Sequence, residues 1–116
     1  MAEKFEELEV RQLSRKLTEN LGKIFYNEKF KNWSFQDQIM RASISISNNI
    51  AEWRERSSNK DFIHFLYYSK WSCGEVRSML YSALDFWYIN AIQFDCFLAE
   101  CKKINIKIYN FIKSLK

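Results

Sequence analysis

The chain has 116 residues, no proline and two glycines, Gly22 and Gly74. A single domain of that length buries enough apolar surface to fold without metal or disulfide staples, and so little turn chemistry excludes hairpin-rich folds and Gly-rich phosphate loops. The net charge of +4 is well below that of a heavily basic nucleic-acid binder, and with no signal-like N-terminus or run of about 18 apolar residues the expectation is a cytoplasmic protein with no membrane partner.

The first predicted helix carries Phe5, Leu8, Leu13, Leu17, Leu21, Ile24 and Phe25 mostly at threes, fours and fives, with Arg11, Arg15, Lys16 and Glu19 facing away. The period lapses at Lys29 to Trp33. Ser34 followed by Asp37 offers an N-cap, so a second helix is expected from near Phe35, fading near Ser57. Its stripe is Ile39, Ala42, Ile46, Ile50 and Trp53, a heptad-like register suited to a long antiparallel neighbour.

Ser58 to Asp61 repeats the cap-then-acid pattern. From there Phe62, Leu66, Ser69, Cys73, Val76, Leu80, Ala83 and Trp87 predict the longest helix, with Asn90 as its stop and Gln93 in the first turn of the next. The fourth helix presents Phe94, Phe97, Leu98, Cys101, Ile104, Ile108, Phe111, Ile112 and Leu115. Short links between long amphipathic helices predict an all-α, up-down-up-down four-helix bundle over residues 1–116.

Within the second helix, Arg41, Ser45, Asn48 and Glu52 step by four, three and four, forming a polar ridge with Ser43, Ser47 and Asn49 nearby. Serine and asparagine compete for backbone hydrogen bonds, so five of them within seven residues cost about 2 kcal/mol relative to alanine. Solvation, close helix approach or hydrogen bonds across a subunit contact are the possible compensations. Charge is also uneven: residues 1–28 net −1, residues 29–70 +3, residues 71–101 −3 and residues 102–116 +5. The terminal lysines 102, 103, 107, 113 and 116 either complement a helix C-terminus or form a strip that meets phosphates.

Cys73, Cys96 and Cys101 follow no metal or redox spacing and are expected as reduced core thiols. Asp61 and His64 resemble one arm of a bundle di-metal site, but no second arm exists at that spacing, and no cofactor or metal is expected.

Arg41-Ala42, Ser45-Ile46 and Asn49-Ile50-Ala51-Glu52, followed by Phe62, Phe65-Leu66, Ser72 and Glu75, resemble the signature of the four-helix bundle proteins encoded in intervening sequences of bacterial 23S rRNA genes. The likeness covers the second and third helices at the right spacing; the first and fourth agree in pattern only. It implies a left-handed bundle that assembles as a ring, typically a homopentamer, without enzymatic activity. That family is similar in fold to the accessory protein of diversity-generating retroelements, a basic ring associated with nucleic acid, RNA or DNA, and with a reverse transcriptase as protein partner.

This chain has Ser47 where the family usually has Pro, Trp53 where it has Gly, and Ser69 and Trp71 where it has small residues. The two tryptophans fill space that close backbone contact needs and bear on the size of any ring. Arg54 and Arg56 keep the family's basic residues after the motif, and Lys60 and Lys70 extend them, so this patch, with Lys102, Lys103 and Lys107, is the expected nucleic-acid contact.

The expected oligomer interface comprises Arg41, Ser45, Asn48, Asn49, Glu52, Trp53, Trp71 and Glu75. Glu75 is read there as an inward carboxylate paired with an arginine such as Arg41, fixing register rather than catalysing. A non-catalytic, self-associating accessory protein is the resulting expectation. The competing expectation is a protein-interaction scaffold that receives a partner on exposed Trp33, Trp53, Trp71 and Tyr88.

Overall fold

The computed structural model describes residues 2–116, with side chains from Phe5 onward. Its helices are α1 (Ala2–Phe25), α2 (Trp33–Ser45), α3 (Ile50–Arg56), α4 (Asn59–Asp85) and α5 (Ala91–Leu115). Consecutive contacts close a ring of four rods: α1 lies against α2 and α5, and α4 against the same two, with α3 leaning on α4. The pairings Thr18–Ser43, Asn20–Glu100 and Asn59–Leu115 run antiparallel, so the bundle is up-down-up-down, within 44 × 23 × 18 Å.

The predicted second helix is two helices. It starts at Trp33, two residues before Phe35, because Asn32 rather than Ser34 is the cap: Asn32 Oδ1 accepts from the Phe35 N–H. It then stops at Ser45, and Ile46 to Asn49 form a turn in which Asn49 adopts a left-handed conformation at φ 62°. Asparagine is among the few non-glycine residues that tolerate that region. The helix cost of the serine and asparagine cluster is thus relieved by leaving the helix and by internal bonds. Ser43 Oγ is buried in a 2.6 Å hydrogen bond with Thr18 Oγ1, and Ser45 Oγ donates to the Arg41 carbonyl.

Ile46 and Ile50 remain in the core on either side of the break, and Trp53 stacks on Phe65 with ring centroids 5.1 Å apart. The polar ridge Arg41, Ser45, Asn48, Glu52 does not exist as one helical row, since the turn carries Asn48 round to the α1 side.

The apolar stripes of α4 and α5 are buried as their periods require, from Phe62 to Ala83 and from Phe94 to Leu115. Four predicted stripe positions are exposed instead: Phe5 and Leu8 at the start of α1, Trp53 in α3, and Trp87, which is 92% exposed. In their place α1 buries Val10, Ser14 and Glu7. Cys73 and Cys101 are core thiols, whereas Cys96 is exposed; all three are free. The Cys73 thiol donates to the Cys101 carbonyl at 3.3 Å, and the contact with Cys73, reinforced by burial, pushes the Cys101 thiol far above its ordinary range, leaving it a neutral packing group.

Asn90 is not the end of the third long helix but the N-cap of α5: Asn90 Oδ1 accepts from the Gln93 N–H and Gln93 Oε1 from the Asn90 N–H. The helix before it ends at Asp85. There the Tyr88 N–H reaches the Ala83 carbonyl and the Trp87 N–H the Leu84 carbonyl, the two bonds of a Schellman cap. The left-handed position of that cap, normally glycine, is held by Trp87 at φ 64°. Tyr88, expected to be exposed, is half-buried among Phe30, Phe35 and Phe86.

A bulky residue in that conformation is strained by about 1–2 kcal/mol and here buries almost nothing in return. Trp87→Gly is therefore expected to stabilise the fold by about 1 kcal/mol, raising the melting temperature by roughly 4 °C in a calorimetric scan.

Candidate functional site

Five ion pairs sort the predicted phosphate-binding residues. Glu7, 5% exposed, is contacted by the Arg54 Nε across the α1–α3 gap and by Arg11 Nη1 at 3.5 Å from its own helix. Arg56 pairs with Glu52 at 3.5 Å, Lys107 with Glu9 at 3.1 Å, and Arg41 with Asp37 at 2.7 Å. Arg54 and Lys107 are each held against a carboxylate of α1 and are only one-third exposed, so neither offers an unneutralised charge to a phosphate. Lys103 is exposed on the outer side of α5.

The remaining members converge elsewhere. Lys70 Nζ lies 5.2 Å and Lys113 Nζ 5.7 Å from the centroid of the Tyr109 ring, so one aromatic ring gathers a cation from each of two helices. At about 100° per residue, Tyr67, Lys70 and Arg77 share the flank of α4 beside α5, and Lys102, Tyr109, Lys113 and Lys116 share the facing flank of α5. Lys60 lies about two turns before Tyr67 on the same line. Asn59 Nδ2 donates to the Leu115 carbonyl at 3.4 Å, which brings the start of α4, with Lys60, to the end of α5, with Lys116. The acidic residues on these flanks, Asp85 and Asp95, sit about two turns further toward the opposite end.

Tyr109 was not singled out from sequence, although its position seven after Lys102 and four before Lys113 carries the signal. Glu7 gave none, being one of several acidic residues in a polar first turn.

The predicted assembly residues do not form one surface. Arg41, Ser45 and Glu75 line a shallow groove between α2 and α4, Asn48 and Asn49 face α1, and Glu52 borders a neighbouring notch. Glu75 is exposed rather than inward, and Arg41, paired to Asp37 one turn away, is not its partner. Trp71 is 72% exposed and Tyr68 74% exposed on the outer face of α4, beside Gly74, where an added Cβ would meet no neighbour within 4 Å. Asp61 and His64 are both exposed, and among the described residues no group of three or more His, Cys, Asp or Glu side chains could hold a metal ion. No described helix is long and apolar enough to cross a membrane.

Glu7→Gln removes the charge that Arg54 and Arg11 share. A buried pair broken on one side costs about 3–5 kcal/mol, and with Arg54 one-third exposed the expected loss is about 2 kcal/mol, read as a lower midpoint in urea. A double-mutant cycle with Arg54→Met is expected to return a coupling above about 0.5 kcal/mol.

The model of the 23S rRNA-intervening sequence protein family matches residues 6–110. The crystal structure of a protein of unknown function from the S23 ribosomal protein family of Bacteroides thetaiotaomicron is 26% identical in sequence and superposes with a TM-score of 0.78, over 93% of this chain and 98% of that one. No curated protein matches the sequence. With the match running through all five helices, the chain belongs to the 23S rRNA-intervening sequence protein family.

Proposed function

We propose that this protein is a non-catalytic, cytoplasmic, self-associating module that contacts nucleic acid through the α4–α5 face. The observation that carries the reading is the sharing of Tyr109 by Lys70 and Lys113, flanked by Lys60, Lys102, Lys116 and Arg77, with no ion pair to any of these cations among the described residues. Cations spaced along two parallel ridges match a run of phosphates, and the half-exposed ring of Tyr67 beside them suits an unpaired base, which favours single-stranded RNA over duplex. Arg56 and Lys103 extend the positive field without belonging to the strip.

Self-association is supported by Tyr68 and Trp71 on the outer face of α4, where Gly74 leaves room for close approach. The same aromatics favour the scaffold reading if the partner is another protein.

Salt separates these alternatives. If about five cations are engaged, fluorescence anisotropy with a single-stranded oligoribonucleotide should give a slope near −3.5 in log K against log salt, and Lys70→Ala with Lys113→Ala should make it shallower by about 1.4. Arg54→Ala and Lys107→Ala should leave it nearly unchanged. A flat salt response would support apolar docking instead. Light scattering tests assembly: a mass that stays at the 14.1 kDa of one chain at micromolar concentration would overturn self-association.

A further inference from the structure

At the opposite corner of the bundle, the break between α2 and α3 opens a groove of about 550 Å³ against α1. Its α1 wall holds Arg11 and Arg15, one turn apart, and its other wall is the turn residues Ser47, Asn48 and Asn49. Arg11 shares Glu7 with Arg54, so two guanidinium groups balance one buried carboxylate and leave a positive surplus beneath the groove. Arg15 has no ion pair among the described residues, and neither Asn48 nor Asn49 uses its side-chain amide in an intramolecular hydrogen bond there. Asn49 does not even cap the helix that follows it. A turn that places three polar side chains in a cavity and leaves them unspent has donors and acceptors available for a ligand.

We infer that this groove binds a phosphate monoester of nucleotide size. Two guanidinium groups four residues apart on one helix suit the dianionic phosphate, since each presents a planar fork of donors. The amides of Asn48 and Asn49 and the carboxylate of Glu19, which closes the groove, suit ribose hydroxyls and a base edge. Ile44, half-exposed at the rim, supplies an apolar contact for the base. The volume is that of a small-molecule site rather than of a duplex. The ligand is either a free mononucleotide or the 5′-phosphorylated end of an RNA, which present the same chemistry. The site lies across the bundle from the α4–α5 strip and stands or falls independently of it.

The test is a titration of ¹⁵N-labelled protein with adenosine monophosphate, with inorganic phosphate, and with a short oligoribonucleotide carrying either a 5′-phosphate or a 5′-hydroxyl. Saturable shifts confined to amides 11–19 and 44–50 are expected with adenosine monophosphate, and shifts at the same amides, beside those of the α4–α5 strip, with the oligoribonucleotides. Arg15→Ala should weaken binding of adenosine monophosphate at least tenfold and Asn48→Ala severalfold, while Lys70→Ala with Lys113→Ala should leave that affinity unchanged. Both groove substitutions lie outside the core, and an unchanged melting temperature would verify folding. Preference for the mononucleotide assigns a free ligand; preference for the 5′-phosphorylated over the 5′-hydroxyl strand assigns an RNA end. Absence of saturable shifts at these amides with every probe, or binding undiminished by Arg15→Ala and Asn48→Ala, would overturn the proposal.

Discussion

The interruption of the second rod at Ile46 to Asn49 is the constraint on which the rest of the surface depends. A continuous helix would carry Asn48, Glu52 and Arg41 along one outward row. By interrupting the α-helical hydrogen-bond pattern over four residues, the chain changes the direction in which the residues after the turn present their side chains. Ile50 still reaches the core, so the break costs the interior nothing, and α3 is tied back at two points: Trp53 on Phe65, and Arg54 on Glu7. The second tie explains how a carboxylate on α1 can be 5% exposed, since such burial is tolerated only with a partner in place. The turn, the buried Glu7 and the groove beside α1 are therefore one arrangement.

Charge is distributed by the same logic. Net charge alone understated the basic character of this molecule, because acidic residues are spent unevenly. Glu7, Glu9 and Glu19 of α1 and Glu52 of α3 sit beside arginines and two lysines and neutralise them locally, while the α4–α5 flank retains its lysines and turns them round an aromatic ring. Like charges brought together repel, and holding Lys70 and Lys113 against the π-face of Tyr109 partly offsets that repulsion. A protein that needed only solubility would do as well with its lysines dispersed. Their convergence on one flank is what separates a binding face from a hydrated one.

The fold was legible because it depends on periodicity, which local sequence carries in full. The stripes of α4 and α5 can be read residue by residue, as can the serine cap at Ser58. What could not be read were events decided by competition between neighbouring helices. Asn32 outranks Ser34 as a cap because the aromatic cluster of Phe25, Phe30, Phe35 and Tyr88 fixes where the chain turns, and Asn32 also donates to the Tyr88 hydroxyl. Trp87 continues the apolar period of α4 yet stands outside it, because it is itself the left-handed residue of the cap that closes the helix. The serine and asparagine cluster was legible as a cost, but not as a break: Asn49 can be helical or left-handed, and nothing in its neighbours' identities chooses between them. For the site, residue types were readable and partners were not. Arg54 and Lys70 look equivalent in sequence, and only the fold assigns one to a buried carboxylate and the other to a tyrosine.

Because the polar segment is satisfied from within, its chemistry and the stability of the bundle are separable. Ser43 is fixed to Thr18 and Ser45 to its own helix, so the side chains of Arg15 and Asn48, which face the groove, carry none of the hydrogen bonds that relieve the segment. Asn48 is exposed, and its side chain contributes no packing on which the core relies. The same holds across the bundle, where Lys70 and Lys113 cover a ring that is itself half-exposed. Substitutions at these positions act on solvent-facing charge and leave the apolar contacts of Ile46, Ile50, Leu66 and Ile108 in place. In a bundle held together by its stripes, the two opposite corners are free to carry recognition, and a change in binding at either one reports on the ligand rather than on the fold.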